Sequence, residues 1–427
     1  MRAVTAVLIV LAGCSSYESD PLHERKLLEE LRAIRIEVPA DGLLPDQAVA
    51  IALVHNPELG VWRRVHEISE KLVVSEGAWA NPQFRPNVEN LLSSGGNPLS
   101  LAFGLRFFPP VPGENAAKIA RAEAKERKTL AQIEDQEMKI AARVRIAHAR
   151  AVMLEEKLRI LQASQRLQDH VGASIDRRLI SFAATRLDET LMVLRREELR
   201  NERGVLESQR EEAIAELALL LGAQPGTPLR VRTSPQDPPV PPARTQQELE
   251  DEALRERADL RGMKEDYEAR EQGLRLAHLA HVLWPRFLEP GVEKLPRGYS
   301  LELGGAFEIP IFNSGSADIA VAEAERRLAR ESYSAKVQAV RGEILEARLE
   351  LREAERRRKH YVERMDPILR QAEDLVKAAL EAGEADTLKL VAVEMRVLDA
   401  RREAAQATFD VERRRIELAL ATGTVLR

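Results

Sequence analysis

The feature that most constrains the fold of this chain is an internal duplication with a period of about 200 residues. Asn56-Pro57-Glu58-Leu59 aligns with Arg257-Ala258-Asp259-Leu260 at an offset of 201 residues. Offsets of 200 or 201 persist over the rest of each copy, which indicates two copies of one structural unit. The aligned positions further along are Leu101, Gly104, Phe107 and Pro110 with Leu301, Gly304, Phe307 and Pro310, and residues 217–222 with 418–423.

The duplication and the proline distribution divide the chain. We predict a signal peptide over residues 1–13, a tether over 14–42, a first repeat over 43–222 and a second repeat over 245–423. The prolines of residues 223–244 predict an extended linker between the repeats, and residues 424–427 form a short tail.

The composition favours long helices. Charged residues make up 31% of the chain and aromatic residues only 4%, so narrow apolar seams suit it better than a large compact core. Residues 113–175 contain no proline, which predicts a helix of about 60 residues, or about 90 Å. Apolar residues at alternating steps of three and four predict coiled-coil packing. They are Leu130, Ile133, Ile140, Val144, Ala147, Ala151, Leu154, Leu158 and Leu161, interrupted by Glu137, and then Val337, Val340, Ile344, Ala347 and Leu351.

Each repeat has the same predicted order of elements. A helix of about 35 residues (45–78 and 246–281) leads to two strands and then to two long helices. The long helices reverse near residues 181–184 and 382–385. We predict the strands at 83–92 and 99–108, and at 284–293 and 299–309.

The predicted strands have the length of tilted bilayer-crossing strands, and alternate residues from Leu99 to Phe107 and from Leu301 to Ile309 place apolar side chains on one face. Four strands cannot close a barrel, and open edges in hydrocarbon cost several kcal/mol for each unpaired group. Two chains are therefore the minimum, and three would supply twelve strands. The alternative is a pair of ordinary hairpins packed on the helices in water.

The amino terminus predicts a lipid anchor. Arg2, an apolar run from Ala3 to Leu11 and small residues lead to Cys14, the only cysteine. Residues 11–14 (LAGC) look like a bacterial lipobox, which makes Cys14 the lipid attachment site and the covalent lipid the only expected cofactor. Because no aspartate follows Cys14, the segment resembles lipoproteins sorted to the outer membrane. The alternative is that this run is the first strand of a core.

Several classes of function are not indicated. The formal net charge of −5 and the interleaved charges give no nucleic-acid footprint. No phosphate loop, nucleophile elbow or ordered catalytic constellation is present, so we expect neither an enzyme nor a catalytic site. His278 and His281 have a helical spacing that can hold a metal, but no third ligand is evident, and we interpret them as surface or groove histidines.

A set of short motifs resembles a known family. They are residues 52–59 (ALVHNPEL), Asn81-Pro82, residues 108–113 (FPPVPG), residues 309–315 (IPIFNSG) and the helix ends at Gly222 and Gly423. In this order, and duplicated, they resemble TolC-type outer-membrane efflux proteins over residues 43–423. Within that family the chain is most similar to the CzcC-like lipoprotein branch of heavy-metal efflux systems.

The resemblance implies a mainly α-helical chain with a small β part, made of long coiled-coil hairpins and four transmembrane strands. Three copies would form a twelve-stranded barrel and an α-helical tunnel in the outer membrane and periplasm. The implied partners are a periplasmic adaptor (membrane fusion) protein and an inner-membrane pump of the RND type, for which the trimer is a passive, porin-like exit duct. The alternatives are a lipid-anchored periplasmic adaptor and a coiled-coil scaffold.

In this family, acidic residues near the helix tips narrow the periplasmic entrance. Asp188, Glu384 and Asp386 are the candidates here, and Arg186, with Arg177 and Arg178, can latch them. The same carboxylates can instead cap helices or face water. Ser181-Phe182 stands where the family usually has a glycine turn.

Overall fold

The computed structural model describes residues 17–33, 35–39, 41–90, 99–180, 185–232, 244–295, 298–309, 311–312, 314–382 and 387–426. The protein is mainly helical, with one four-stranded sheet. Before the linker, the elements are α1 (Glu24–Ala33), α2 (Pro45–His55), α3 (Pro57–Glu76), β1 (Gln83–Asn90), β2 (Leu99–Arg106), α4 (Glu114–Ile180) and α5 (Arg186–Leu220). After it come α6 (Gln246–Glu256), α7 (Ala258–Leu279), β3 (Pro285–Leu295), β4 (Gly298–Phe307), α8 (Ser316–Lys359), a π-helical turn (His360–Met365), α9 (Asp366–Glu381) and α10 (Thr387–Thr422).

The helix α4 is the longest element. Its 67 residues correspond to about 100 Å, because an α-helix rises about 1.5 Å per residue. The predicted seam from Ile140 to Leu161 is buried, but Leu130 is exposed. In the half of α4 nearer the sheet, the helix packs on α7, and four of its buried residues there recur at every seventh position. Three of these residues are alanines, whose small side chains let the two helices approach closely, and the fourth is Met138. The alanines are Ala117, Ala124 and Ala131.

The prediction of a single helix at the start of each repeat is wrong, because each repeat begins with two helices. Asn56 separates α2 from α3, and Arg257 separates α6 from α7, each in an extended conformation. A residue before proline disfavours the helical conformation, and Pro57 follows Asn56. No proline follows Arg257, so its side-chain interactions must hold the second break.

The two breaks are held by equivalent hydrogen bonds. The Asn56 side chain accepts a bond from the Glu58 N–H and donates through Nδ2 to the Leu220 carbonyl, at 2.9 and 2.8 Å. In the second copy, Arg257 Nη1 donates to the Ala421 carbonyl at 2.9 Å. The duplication is therefore preserved at the level of one contact, in which the break residue satisfies a carbonyl at the end of the last helix in its repeat.

The long helix that follows the strands of the second repeat is interrupted, unlike its counterpart α4 in the first repeat. The π-helical turn at His360–Met365 lies between α8 and α9 and ends two residues before Pro367, the second residue of α9. Proline lacks the N–H that would continue the helical ladder, and its ring crowds the preceding turn. The wider π turn accommodates this, whereas α4 continues unbroken because it contains no proline.

The strands form an antiparallel sheet in the order β1-β2-β3-β4. The predicted hairpins are β1–β2 and β3–β4, and the β2–β3 pairing joins the two repeats. The strand ends differ from the prediction by at most two residues, and residues 91–98 and 296–297 lie outside the described part of the chain. The Trp284 indole also joins the repeats, since Nε1 donates to the Pro109 carbonyl at 3.1 Å.

The helices follow the order of the strands. Beside the sheet, the contacts run α3–α4–α7–α8, and at the opposite end they run α5–α4–α10–α8. The largest core cluster lies between α2, α4, α5 and α10. There, Leu43 pairs with Val231, which lies within the predicted linker (residues 223–244), and the Leu43 carbonyl is 2.8 Å from His148 Nε2.

Candidate functional site: an amphipathic sheet with two open edges

One face of the sheet is apolar and exposed. The strand register places Pro86, Phe103, Val292 and Leu301 in one row across all four strands. Phe103 stacks on Phe84 with ring centroids 6.0 Å apart. On the edge strand β4, Leu301 is 86% exposed and Leu303 is 78% exposed. An exposed apolar surface of this kind marks a site of contact with a membrane or with another protein surface.

The opposite face of the sheet is polar. The adjacent row across the strands is Arg85, Gly104, Gly291 and Glu302. The Glu289 carboxylate lies over Gly104, where a Cβ would come within 2.7 Å of its Oε1 atom. Glycine at this position therefore leaves space for a charged group on the sheet surface.

Two arginines from the first repeat hold that carboxylate from the second repeat. Glu289 Oε2 is 2.6 Å from Arg106 Nε and 3.4 Å from Arg85 Nη1. The Arg106 guanidinium also lies over the Phe287 ring, 3.8 Å from its centroid. Sequence analysis missed this cluster. A signal was available for Arg106, which alternates with the predicted apolar face of β2, but no apolar face was predicted for the strands that carry Arg85 and Glu289.

Neither edge of the sheet pairs with a further strand in the part of the chain that the structure describes. β1 and β4 each have one strand neighbour in the described structure. The helices beside these edges, α3 and α8, also carry exposed apolar side chains at helical spacing. On α3 they are Val61, Val65, Ile68 and Leu72, and on α8 they are Val321 and Leu328. On one side of the chain an edge strand, β1, thus lies beside exposed apolar residues of α3, and on the other side the edge strand β4 lies beside those of α8.

The candidate tip residues are placed only in part. Asp188 lies in the first turn of α5 and forms a capping box with Thr185, whose N–H donates to Asp188 Oδ2 at 2.8 Å. Arg186 is the first residue of α5 and is exposed. Arg177 and Arg178 fall in the last turns of α4. Glu384, Asp386, the turn at 181–184 and Cys14 lie outside the described residues.

The two histidines of the candidate metal pair lie at the end of α7 and just after it. His281 Nε2 is 3.7 Å from Asp318 Oδ2, at the start of α8. In the described ranges, no three His, Cys, Asp or Glu side chains are grouped as metal ligands. None of the helices in those ranges is both long enough and apolar enough to cross a membrane.

Comparison with known proteins agrees with this architecture. Residues 296–424 match the family described as outer membrane efflux protein. The chain has the fold of solved outer-membrane channels. It superposes on the outer-membrane channel OprN with a TM-score of 0.74 at 18% identity, covering 89% of this chain and 90% of that one.

Two further channels are similar to the same degree. CusC, described in relation to transmembrane channel formation, gives a TM-score of 0.73 at 17% identity, over 89% of this chain and 92% of its own. The open state of the MtrE outer membrane channel of Neisseria gonorrhoeae gives 0.70 at 18% identity, over 90% and 89%. No curated protein matches the sequence.

Proposed function

We propose that this protein is the outer-membrane exit duct of a tripartite efflux system. The observation that carries the proposal is the four-stranded sheet with one exposed apolar face, one charged face and two open edges. In a closed barrel, the apolar face contacts lipid and the charged face lines an aqueous passage. The fold likeness and the family match over the second repeat support the same assignment.

The edges determine how the barrel closes. The β1 edge of one copy pairs with the β4 edge of the next, which is a head-to-tail contact that generates a ring. The exposed rows on α3 and α8 meet across the same contact and extend the ring into the helical wall. Three copies give the twelve strands that the resemblance implies.

Transport through such a duct is passive. A periplasmic adaptor and an inner-membrane pump of the RND type deliver the substrate and supply the energy, and the duct contributes an aqueous path with no catalytic group. Heavy-metal cations, the substrate of the CzcC-like branch, are the substrate we propose. Deletion of the gene should then sensitise cells to zinc, cobalt or cadmium salts but not to organic antibiotics, and the reverse pattern would exclude the metal branch.

The membrane assignment predicts different effects for the two faces of β4. Replacing Leu303 with Lys places a charge on the lipid face and should cost about 2 kcal/mol per chain, because a cation near the bilayer centre is poorly solvated. Heat-modifiable trimers in detergent-extracted outer membranes should decrease strongly, together with single-channel conductance in planar bilayers.

The matched control is Ser300→Lys, which puts the same group on the polar face of the same strand. It should assemble normally. Equal assembly of both variants, or a wild-type protein that is a water-soluble monomer without conductance, would overturn the duct and favour the adaptor or scaffold alternatives.

We also propose that a lipid on Cys14 anchors the chain. Cys14→Ser should abolish incorporation of labelled palmitate and leave trimer formation possible, because the barrel itself provides membrane insertion. Labelling in this variant at the wild-type level would remove the lipoprotein assignment.

Asp188, Glu384 and Asp386 remain our proposed gate, with Arg186 as a latch. Asp188→Asn should raise single-channel conductance by removing charge from the entrance. Thr185→Ala is the control, because it breaks the same capping box, at about 1 kcal/mol, without removing charge. If both variants change conductance equally, Asp188 acts as a helix cap alone.

A further inference from the structure

The helical wall contains a cavity of about 230 Å³ between α4, α9 and α10. Its walls are mostly apolar, and four polar side chains reach it: Ser164, Glu373, Glu394 and Arg401. The cavity lies far along the chain from the sheet, on the tip side of the π-helical turn, and belongs neither to the barrel nor to the proposed gate. The main apolar lining residues are Ile160, Leu167, Val376, Val393, Val397 and Leu398.

Glu394 is the unusual group in this cavity. The residue is only 6% exposed, and its carboxylate accepts hydrogen bonds from Ser164 Oγ at 2.7 Å and from Gln168 Nε2 at 3.0 Å. Both donors are neutral, and within the described chain Glu394 forms no ion pair. A carboxylate can accept about four hydrogen bonds, so acceptor capacity remains. A buried carboxylate without a cation is costly.

Beside Glu394, the side chain of Gln168 has a polar atom without a hydrogen-bond partner in the described structure. Gln168 is 2% exposed, and its Oε1 atom accepts no hydrogen bond in the described structure. Glu394, a charged acceptor that lines the cavity, therefore has as its neighbour a second buried acceptor without a hydrogen-bond partner in the described structure. Buried acceptors of this kind are normally satisfied, and each unsatisfied one requires an explanation.

The remaining charges of the cavity cancel. Arg401 Nη2 lies 2.7 Å from Glu373 Oε2, so this pair adds no net charge. The wall as a whole therefore carries one excess negative charge, contributed by Glu394. The apolar lining provides no further ligands for a metal ion and suits an organic group.

We propose that this cavity binds a small organic cation, in which an ammonium or amidinium group donates to Glu394 and an apolar body fills the space between the three helices. The bound cation contacts α4, α9 and α10 together and so holds α9, which follows the π-helical turn, against the other two helices. Because the ligand binds the folded hairpin, it should raise the thermal midpoint of the protein.

The test uses benzylamine, which is protonated at neutral pH, with full-length protein in an uncharged detergent. Titration calorimetry should detect saturable binding and the thermal midpoint should rise. Benzyl alcohol, a neutral analogue of the same shape, should bind about tenfold more weakly or not at all. Glu394→Gln should weaken benzylamine binding by about tenfold or more, because the carboxamide keeps the shape of the group but not its charge.

Glu403→Gln is the matched control, since it removes an exposed carboxylate from the same helix and should bind as the wild type does. Val397→Phe fills the cavity from an apolar position and should abolish binding while Glu394 is intact, which covers the case in which Glu394→Gln fails to fold. Absence of binding to the wild type, or equal binding by Glu394→Gln, overturns the proposal. Neither result depends on conductance, so the site and the duct are tested separately.

Discussion

Replacing Gly222 with alanine should destabilise the protein by about 3 to 5 kcal/mol. Gly222 follows the last residues of α5 with a φ of 74°, in the left-handed region. A Cβ at this position would lie 2.3 Å from the His55 carbonyl oxygen, which belongs to the backbone at the end of α2. Because backbone atoms cannot rotate away as a side chain can, α5 or α2 must move and the Asn56–Leu220 hydrogen bond must lengthen.

The measurement is the midpoint of thermal unfolding by far-UV circular dichroism on purified protein. The effect of Gly222→Ala has two contributions, the clash of the added Cβ and the backbone strain of a positive φ. Gly226→Ala separates them, because Gly226 also has a positive φ of 84° but nothing lies within 4 Å of its Cβ position. Backbone strain alone should cost about 1 kcal/mol there. Gly423→Ala, the counterpart of Gly222 in the second repeat, should behave like Gly222→Ala, since a Cβ would come within 2.9 Å of backbone atoms of Glu256 and Arg257. Equal, small shifts in all three variants would contradict the close contact.

Replacing Arg257 with methionine should cost about 3 kcal/mol at neutral pH. The Arg257 side chain is only 10% exposed and is 2.7 Å from both Asp259 Oδ2 and Glu343 Oε2. Methionine keeps much of the side-chain volume but leaves the Ala421 carbonyl and part of the Asp259 charge without a donor. Lys336, 3.2 Å from Asp259 Oδ2, compensates in part.

The pH dependence of stability gives this variant a second signature. Burial alone would raise the pKa of Asp259, but the hydrogen bond and charge of Arg257, with those of Lys336, lower it from 3.8 to about 2. A carboxyl group whose pKa is lowered by folding stabilises the protein above its unfolded-state pKa, and that stability is lost as the pH falls towards the folded-state pKa. In the wild type, about 2 kcal/mol from this group should therefore disappear between about pH 4 and pH 2.

In Arg257→Met, the loss of stability on acidification should be smaller than in the wild type, because the pKa of Asp259 moves back towards its ordinary value. Thermal midpoints measured from neutral to acidic pH test both the lower stability of the variant at neutral pH and its smaller loss of stability as the pH falls. Arg255→Met, at an exposed position of α6, is the control and should match the wild type at every pH. An unchanged acid slope in Arg257→Met would show that Arg257 does not determine the pKa of Asp259.

Much of the architecture could be predicted from the sequence because each part depends on local pattern. Heptad spacing from Ile140 to Leu161 determined the buried seam of α4, and the alternation of Leu301 and Leu303 with polar neighbours determined the exposed apolar side of β4. Gly222 and Gly423 marked helix ends because glycine adopts a positive φ at low cost.

The features that sequence reasoning missed depend on residues far apart in the chain. The break at Arg257 is held by a carbonyl 164 residues away, and the Glu289 cluster joins strands of different repeats. The Glu394 cavity likewise needs α4, α9 and α10 side by side. No local period encodes such contacts, because they arise only when packing brings distant segments together.

The sequence by itself determined the duplication, the helical seams, the two-faced strands and the helix ends, since these follow from backbone propensity and side-chain periodicity. Only the tertiary structure decided that β2 pairs with β3, that the helices follow the order of the strands, and that edges of the same kind remain open on both sides. The physical reason is that burial and hydrogen bonding between distant segments are properties of the packed chain, and they select one arrangement among several that the local pattern permits.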